Sequence, residues 1–136
     1  MNSRAEDKIV EIEKYLVELE EAASGLLEDY INSRRAQLVC ERLFEIIIES
    51  IIDLVFIFIN EKKFEMPEDD ESSLDLIASK NIISSLLGKK LKEARRMRNI
   101  VAHKYGSINN EIVFNAIKEN LPQDARELIK CIRDYK

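Results

Sequence analysis

The stretch Arg34–Glu61, RRAQLVCERLFEIIIESIIDLVFIFINE, decides the fold of this chain. It contains neither glycine nor proline, so it predicts a single helix of about seven turns. Apolar residues occupy most of the circumference of that helix, and such a helix must be covered on more than one side. In a chain of 136 residues, we expect the cover to come from the rest of a helical bundle and from a second subunit. The sequence therefore predicts a homodimer.

Four acidic residues on this helix repeat every four positions and form one polar ribbon: Glu41, Glu45, Glu49 and Asp53. The simpler interpretation is a solvated strip on an otherwise buried helix. The alternative is that the end of the ribbon near Asp53 faces a functional cleft or a basic partner. The sequence alone leaves both interpretations open.

The rest of the chain also shows helical periodicity, with apolar residues three and four apart. We find no alternating strand pattern and no internal repeat, which favours an all-α bundle of about five helices in a single domain, residues 1–136. Beyond the long helix, the first predicted helices run over about 4–24 and from Leu26 to a pause at Asn32–Ser33. After the long helix, one runs from Ser72 or Ser73 to about Ala78, with Asn81 as C-terminal cap, and the next from about Leu86, capped by Ser84 or Ser85, to His103–Tyr105. The last two run from Asn109 or Asn110 to about Asn120 and, after a break at Leu121–Pro122 with Pro122 in the first turn, to Tyr135.

Composition excludes several classes of site. One histidine and two cysteines cannot supply a four-thiolate zinc site, a histidine-rich metal site or a disulfide framework. No glycine-rich phosphate-binding motif is present, and no carboxylate spacing selects a metal, so we predict neither metal nor cofactor. The N-terminus is charged from Arg4 onward, and the most hydrophobic stretch, 46–59, is too short and too acidic to span a bilayer. We expect a cytoplasmic protein without membrane contact.

Charge is distributed unevenly along the chain. The sequence has 21 basic and 26 acidic side chains and a net charge of −5, which argues against a protein that coats nucleic acid through its overall field. Residues 80–104, however, carry eight lysines and arginines against Glu93 alone. A local basic surface of this kind fits phosphate groups. It fits equally a helix face that pairs with the acidic residues of a neighbour.

Arg98 interrupts the apolar side of the helix predicted from about Leu86. On a straight helix it falls in line with apolar residues such as Leu91 and Val101, so its guanidinium must be paired, face a cleft or reach solvent through its stem. His103 lies about 140° away on the same ideal helix. The two side chains meet only if the helix ends or kinks near His103, or if a twofold axis joins two copies of the motif. At a helix C-terminus the dipole favours protonated imidazole, which suits a general acid or base.

The segment Arg98–Tyr105, RNIVAHKY, has the pattern R-N-x-x-x-H-x-Y. It resembles the signature of the HepT-type toxins of the HEPN superfamily, and the resemblance extends to the helical layout, including ERLFEIIIESIIDL in the long helix. This implies a dimeric, HEPN-like helical bundle. It also implies a metal-independent endoribonuclease that is the toxin of a type II toxin–antitoxin pair. Met97 departs mildly from the aromatic residue or glycine that often precedes the arginine in this family.

The resemblance implies a role for each motif residue. Arg98 would bind and neutralise the scissile phosphate, while His103 would move a proton as the ribose 2′-hydroxyl attacks to leave a 2′,3′-cyclic phosphate. Asn99 would orient the site by hydrogen bonding. Tyr105 matches the tyrosine that the cognate antitoxin, a minimal nucleotidyltransferase, modifies with AMP.

Residues around the motif are further candidates for the site. Arg95, Arg96 and Lys104 are candidates for binding the RNA, either tRNA or mRNA, although Arg95 and Arg96 also fit a docking patch for the antitoxin. Asp53, at the end of the acidic ribbon, is a candidate for supporting the motif from the long helix. The expected assembly is a homodimer or a larger hetero-oligomer with the antitoxin.

A different class of function fits the same residues. Small helical domains of this kind also act as non-catalytic modules that bind nucleotides or a nucleotidyltransferase partner. In a plain dimeric scaffold the polar motif would be incidental. Cleavage of RNA by the pure protein separates the enzyme from both alternatives.

Overall fold

The structure is a computed structural model that describes residues 3–103 and 109–135. These residues form seven α-helices and one π-turn, and the described ranges contain no strand, which confirms the all-α prediction. Two short helices, α2 and α6, raise the number above about five. In chain order the elements are α1 Ser3–Ala22, α2 Leu27–Ile31, α3 Arg34–Glu61, α4 Asp70–Ser79, α5 Ser85–His103, α6 Asn110–Asn115, the π-turn Ala116–Asn120 and α7 Leu121–Asp134.

The central helix is α3, and its predicted bounds are confirmed. Ser33 caps it by accepting a hydrogen bond from the Ala36 amide at 3.1 Å. Helices α1, α4 and α5 pack around it and bury side chains on most of its circumference, among them Phe44, Ile47, Leu54 and Phe58. The other helices of the same chain therefore already cover most of α3. The apolar surface of α3 does not by itself require a second subunit, so the homodimer stays a prediction. No helix in the described ranges, α3 included, has the length and apolar character to cross a membrane.

Helix α4 begins earlier than its predicted start at Ser72 or Ser73. Asp69 is the N-cap, and its carboxylate accepts a hydrogen bond from the Ser72 amide at 2.8 Å. Hydrogen bonds from Ser72 lower the pKa of Asp69. The predicted cap was wrong because aspartate caps a helix as well as serine does, and the acidic residues that follow, Asp70 and Glu71, are favoured in a first turn by the helix dipole.

The connection between α4 and α5 matches the sequence. Asn81, just beyond α4, has a φ of 59°, in the left-handed region that asparagine tolerates better than most residues. Ser84 starts α5 by accepting a hydrogen bond from the Leu87 amide at 3.0 Å. These two caps confirm the predicted end of α4 and the predicted start of α5.

The last helix begins at Leu121 with Pro122 in its first turn, as predicted, but the break in the helical backbone predicted at Leu121–Pro122 was wrong. The helical backbone continues from α6 through the π-turn into α7, with Asn120 at φ −77° and ψ −53° and Leu121 at φ −64° and ψ −46°. Proline lacks an N–H, and its ring clashes with the preceding turn of an ideal α-helix. Because the wider π-turn lies directly before Pro122, the ring has space and the helix runs on.

Helix α7 is held against α1 by ion pairs. Arg126 donates two hydrogen bonds to Glu20, at 2.6 and 2.9 Å, and these bonds lower the pKa of the Glu20 carboxyl. Arg133 pairs with Glu6 about two turns further along α7. These contacts close the bundle opposite the α3–α5 face.

Candidate functional site

Arg98 of α5 pairs with Glu49 of α3. Its Nη2 lies 2.7 Å from Glu49 Oε1, and its Nη1 donates to Asn99 Oδ1 at 2.8 Å. The Arg98 side chain is 27% exposed and that of Glu49 is 49% exposed, so the pair lies at the edge of the α3–α5 contact and is open to solvent. Of the three explanations for an arginine among apolar residues, the structure supports pairing.

Among the described residues, the guanidinium of Arg98 has donors without an acceptor. Its Nε is buried and has no hydrogen-bond acceptor among the described residues, and the two bonds to Glu49 and Asn99 account for one N–H on each terminal nitrogen. A guanidinium is always charged and presents a planar fork that matches phosphate oxygens. Glu49 and Asn99 therefore fix the plane of this fork while leaving donors for an anion.

The acidic ribbon of α3 divides into separate contacts. Glu41 is buried, Glu45 pairs with Arg42 at 3.1 Å, and Asp53 lies 3.7 Å from Lys8 of α1. Within the described part of the motif, Glu49 is thus the ribbon member that makes contact, through Arg98. The candidate Asp53 lies one turn further along and contacts Lys8 of α1. The ribbon is not simply a solvated strip. The sequence signal was present in its four-residue repeat, but the register of α5 against α3 decides which member meets the arginine.

The basic face of α5 is paired with the acidic start of α4. Arg95 lies 3.1 Å from Asp70 and 3.5 Å from Glu71, and Arg96 lies 2.8 Å from Glu71. Lys92 continues the series with a 2.8 Å contact to Asp75. Pairing with a neighbouring element thus accounts for much of this charge in the isolated chain, and that element is α4. Arg95 and Arg96 can meet RNA only by sharing or exchanging these carboxylates.

Glu71→Gln should weaken the attachment of α4, because Glu71 pairs with both Arg95 and Arg96. We expect the free energy of unfolding to fall by about 0.5–1 kcal/mol at low salt, in the range of partly exposed ion pairs. The loss should be smaller in 1 M NaCl, because the electrostatic screening length falls to about 3 Å at that ionic strength. Urea unfolding at both salt concentrations measures this effect. Glu68→Gln is the matched control, because Glu68 makes no ion pair within the described ranges, and an equal loss in that variant would contradict the assignment.

The second half of the motif lies at the end of α5. His103 is the last residue of that helix, and its side chain, with Lys104 and Tyr105, lies outside the described residues. The roles of His103, Lys104 and Tyr105 stay predictions.

Two further features limit the chemistry of the described residues. No group of three histidine, cysteine or carboxylate side chains in these ranges is arranged to hold a metal ion. Cys40 is buried beside Glu41, and its burial, reinforced by that carboxylate, raises the pKa of the thiol to about 11. A thiol of that kind is protonated at neutral pH and is a poor nucleophile.

Comparison with known proteins gives consistent matches. Residues 12–132 match the family described as ribonuclease HepT-like. The tRNA nuclease HepT of Aphanizomenon flos-aquae (strain 2012/KM1/D3) is 27% identical over 118 residues, which cover 87% of this chain and 80% of that protein. The mRNA nuclease HepT of Shewanella oneidensis (strain MR-1) is 28% identical over 85 residues, 62% of this chain and 63% of that protein.

The fold is shared with a solved toxin. The tri-AMPylated HEPN toxin of Shewanella oneidensis, solved in complex with its MNT antitoxin, superposes with a TM-score of 0.91 at 21% identity, covering 99% of this chain and all of that one. At this level of identity the likeness establishes the HEPN-like fold.

Proposed function

Because this chain belongs to the ribonuclease HepT-like family, we propose that it is a metal-independent RNA endonuclease and the toxin of a type II toxin–antitoxin pair. The observation that carries the proposal is the Arg98 site. The arginine of the R-N-x-x-x-H-x-Y motif is charged, held by Glu49 at 2.7 Å and by Asn99 at 2.8 Å, and partly open to solvent. Two relatives are named as nucleases of tRNA and of mRNA, so the substrate is one of these RNA classes.

Arg98 acts on the scissile phosphate. As the ribose 2′-oxygen forms its bond to phosphorus, negative charge grows on the non-bridging oxygens, and a fixed guanidinium stabilises that charge more than the charge of the ground state. Asn99 contributes by accepting from Nη1 and so orienting the fork. Glu49 is a positioning residue in this scheme because it acts through Arg98.

His103 supplies the proton transfer. It takes or gives a proton as the 2′-hydroxyl attacks phosphorus and the 5′-oxygen leaves. The P–O5′ bond breaks as the P–O2′ bond forms, so the products are a 2′,3′-cyclic phosphate and a 5′-hydroxyl. DNA lacks the attacking hydroxyl and is therefore not a substrate.

Regulation belongs to the same proposal. The solved toxin of the same fold is described as tri-AMPylated and bound to an MNT antitoxin, which supports a cognate minimal nucleotidyltransferase as the partner that modifies Tyr105 here. Added phosphates beside a phosphate-binding arginine would block RNA by charge and by volume. We take residues 1–136 as one domain of a homodimer whose two motifs share a cleft, and we place its activity in the cytoplasm, where tRNA and mRNA are found.

One observation favours the second candidate, a non-catalytic binding module. Carboxylates already occupy Arg95, Arg96 and Arg98 in the isolated chain, which lowers the positive potential available to RNA. These ion pairs would not impair the function of a module that works only by binding a nucleotidyltransferase partner. The two candidates differ in what the purified protein does to RNA.

The test uses purified, unmodified protein with bulk tRNA and an mRNA in excess EDTA. We expect cleavage at the same rate with EDTA as with Mg²⁺, products that carry 2′,3′-cyclic phosphates, and no cleavage of a substrate with a 2′-deoxyribose at the cut site. Loss of activity in EDTA would overturn the metal-independent mechanism. Intact RNA under both conditions, together with tight binding of the nucleotidyltransferase, would establish the module.

A further inference from the structure

A cavity of about 240 Å³ lies where α5 faces the π-turn and the start of α7. This volume is several times the roughly 30 Å³ that one water occupies in the liquid. Its apolar walls include Ala94 and Met97 of α5 and Leu121 of α7, and its polar wall includes Lys90 and Asp124. Glu93, Asn120 and Gln123 line it as well, so apolar and polar residues share the wall about equally. Polar groups that converge against apolar walls are the usual form of a small-ligand site.

Asp124 supplies a buried acceptor at the cavity. Its side chain is 8% exposed, whereas that of Lys90, nearer the surface, is 45% exposed. Burial raises the pKa of the Asp124 carboxyl, and the Lys90 ammonium partly opposes that change. The Lys90 Nζ and Asp124 Oδ1 atoms lie 4.0 Å apart, beyond hydrogen-bond distance, so each keeps hydrogen-bonding capacity for a third group.

The π-turn is the element that brings Asp124 to this place. An α-helix that continued from α6 without the extra residue would rotate α7 by about one residue, or 100°. π-turns within helices occur frequently at functional sites. The turn therefore accommodates Pro122 and, two residues later, directs a carboxylate inward.

We propose that this cavity binds a guanine base of the RNA substrate. Guanine has an acceptor, O6, beside two N–H donors, N1 and N2, along one edge. Lys90 and Asp124 present the complementary order, a cationic donor beside a carboxylate with two acceptor oxygens. Uracil offers a single N–H between two carbonyls, and adenine and cytosine place a ring acceptor beside their amine, so none of these bases offers a carboxylate two adjacent donors.

The cavity and the proposed phosphate site share one helix. Met97 lines the cavity and directly precedes Arg98, while Ala94 lies about one turn before it, roughly 6 Å along the axis. A nucleotide whose base enters the cavity therefore places its backbone beside the guanidinium. Single-stranded RNA is read in this manner, by inserting unstacked bases against apolar side chains and hydrogen-bonding their edges. This inference rests on the proposed function, because it names the base that the nuclease prefers beside the cut.

The first test measures binding without cleavage. The His103→Ala variant is titrated by calorimetry with 5′-GMP, 5′-AMP, 5′-CMP and 5′-UMP, which share one phosphate and differ in the base. We expect 5′-GMP to bind on the order of 10-fold more tightly than the other three, which is the effect of one well-paired charged hydrogen bond. Asp124→Asn and Lys90→Ala should each abolish this preference. Asp134→Asn, an exposed aspartate at the end of α7, is the control that should keep it.

The second test reads the cut sites. Sequencing the 5′-hydroxyl products of a random RNA pool should show guanine enriched at one position beside the cut for the wild-type protein, and no enrichment for Lys90→Ala. The exposed position of Lys90 keeps this variant folded, so it carries the test even if Asp124→Asn unfolds. Equal binding of the four nucleotides, or an unchanged cut-site preference in Lys90→Ala, would overturn the inference. Preferential 5′-GMP binding without RNA cleavage would instead remove the proposed nuclease activity and leave the guanine site standing.

Discussion

RNA cleavage is expected to fall by about 100- to 1,000-fold when Arg98 is replaced by alanine, the usual cost of removing one preorganised donor from a transition state. The physical reason is the pair of contacts that fix the guanidinium plane, to Glu49 at 2.7 Å and to Asn99 at 2.8 Å. The loss should appear in kcat rather than in KM alone, because the charge that Arg98 meets is largest in the transition state. Single-turnover cleavage of a labelled tRNA measures it directly.

The companion variants sharpen this expectation. Arg98→Lys should recover little activity, because an ammonium cannot form the planar fork that the site is built to hold. Glu49→Gln keeps an acceptor for Arg98 and should stay within about 10-fold of the wild type, since one hydrogen bond to a charged group is worth about 1.5–3 kcal/mol and most of it is retained. Arg42→Ala removes an exposed arginine of α3 and is the matched control. Near-normal cleavage by an Arg98→Ala variant whose unfolding curve matches that of the wild type would contradict the mechanism.

Tyr105→Phe is expected to abolish AMPylation by the cognate nucleotidyltransferase, because the modification needs the phenolic oxygen that phenylalanine lacks. Coexpression with the antitoxin and intact-mass measurement should show the wild-type chain heavier by one or more AMP units and the variant at its unmodified mass. The variant should also keep its nuclease activity in the presence of the antitoxin's ATP substrate, since no phosphates are added beside Arg98.

Tyr135→Phe is the control for that experiment. Tyr135 is an exposed tyrosine, 39% accessible, and it lies beyond the end of α7. Its replacement should leave the mass increase unchanged. An AMP adduct on Tyr105→Phe, or its loss in Tyr135→Phe, would show that the modified tyrosine has been misassigned.

The helices that could be predicted from the sequence are those whose ends are determined locally. The bounds of α3 follow from a run without glycine or proline between Ser33 and Glu61, and Ser33 does cap that helix. The start of α4 was misplaced because Asp69 and Ser72 both suit a cap, and packing decides between them. Pro122 suggested a break because proline usually interrupts a helix. A π-turn that relieves the clash leaves no composition signal of its own.

In the candidate site, too, locally determined features could be predicted and long-range contacts could not. Arg98 could be singled out because it interrupts an apolar helix face, which is a local property of the sequence. Its partner could not, because choosing Glu49 over Asp53 requires the register of α5 against α3, set by side chains about 50 positions apart in the chain. The pairing of Arg95 with Asp70 depends likewise on where α4 packs against α5. Charge counting predicted the basic surface and left open that it pairs with an acidic neighbour, but it could not identify α4 as that neighbour.

Because the carboxylates of α4 pair with arginines of α5, ionic strength has two opposing effects on the affinity of this protein for RNA. Dissolved salt weakens the attraction between RNA phosphates and arginines, as for any basic surface. The same ions also loosen Arg95 and Arg96 from Asp70 and Glu71 and so return positive charge to the face that RNA would approach. Substrate affinity is then a curved function of salt concentration rather than a simple decline. A segment whose only evident task is to hold two helices together thus also sets the ionic conditions under which the enzyme works best.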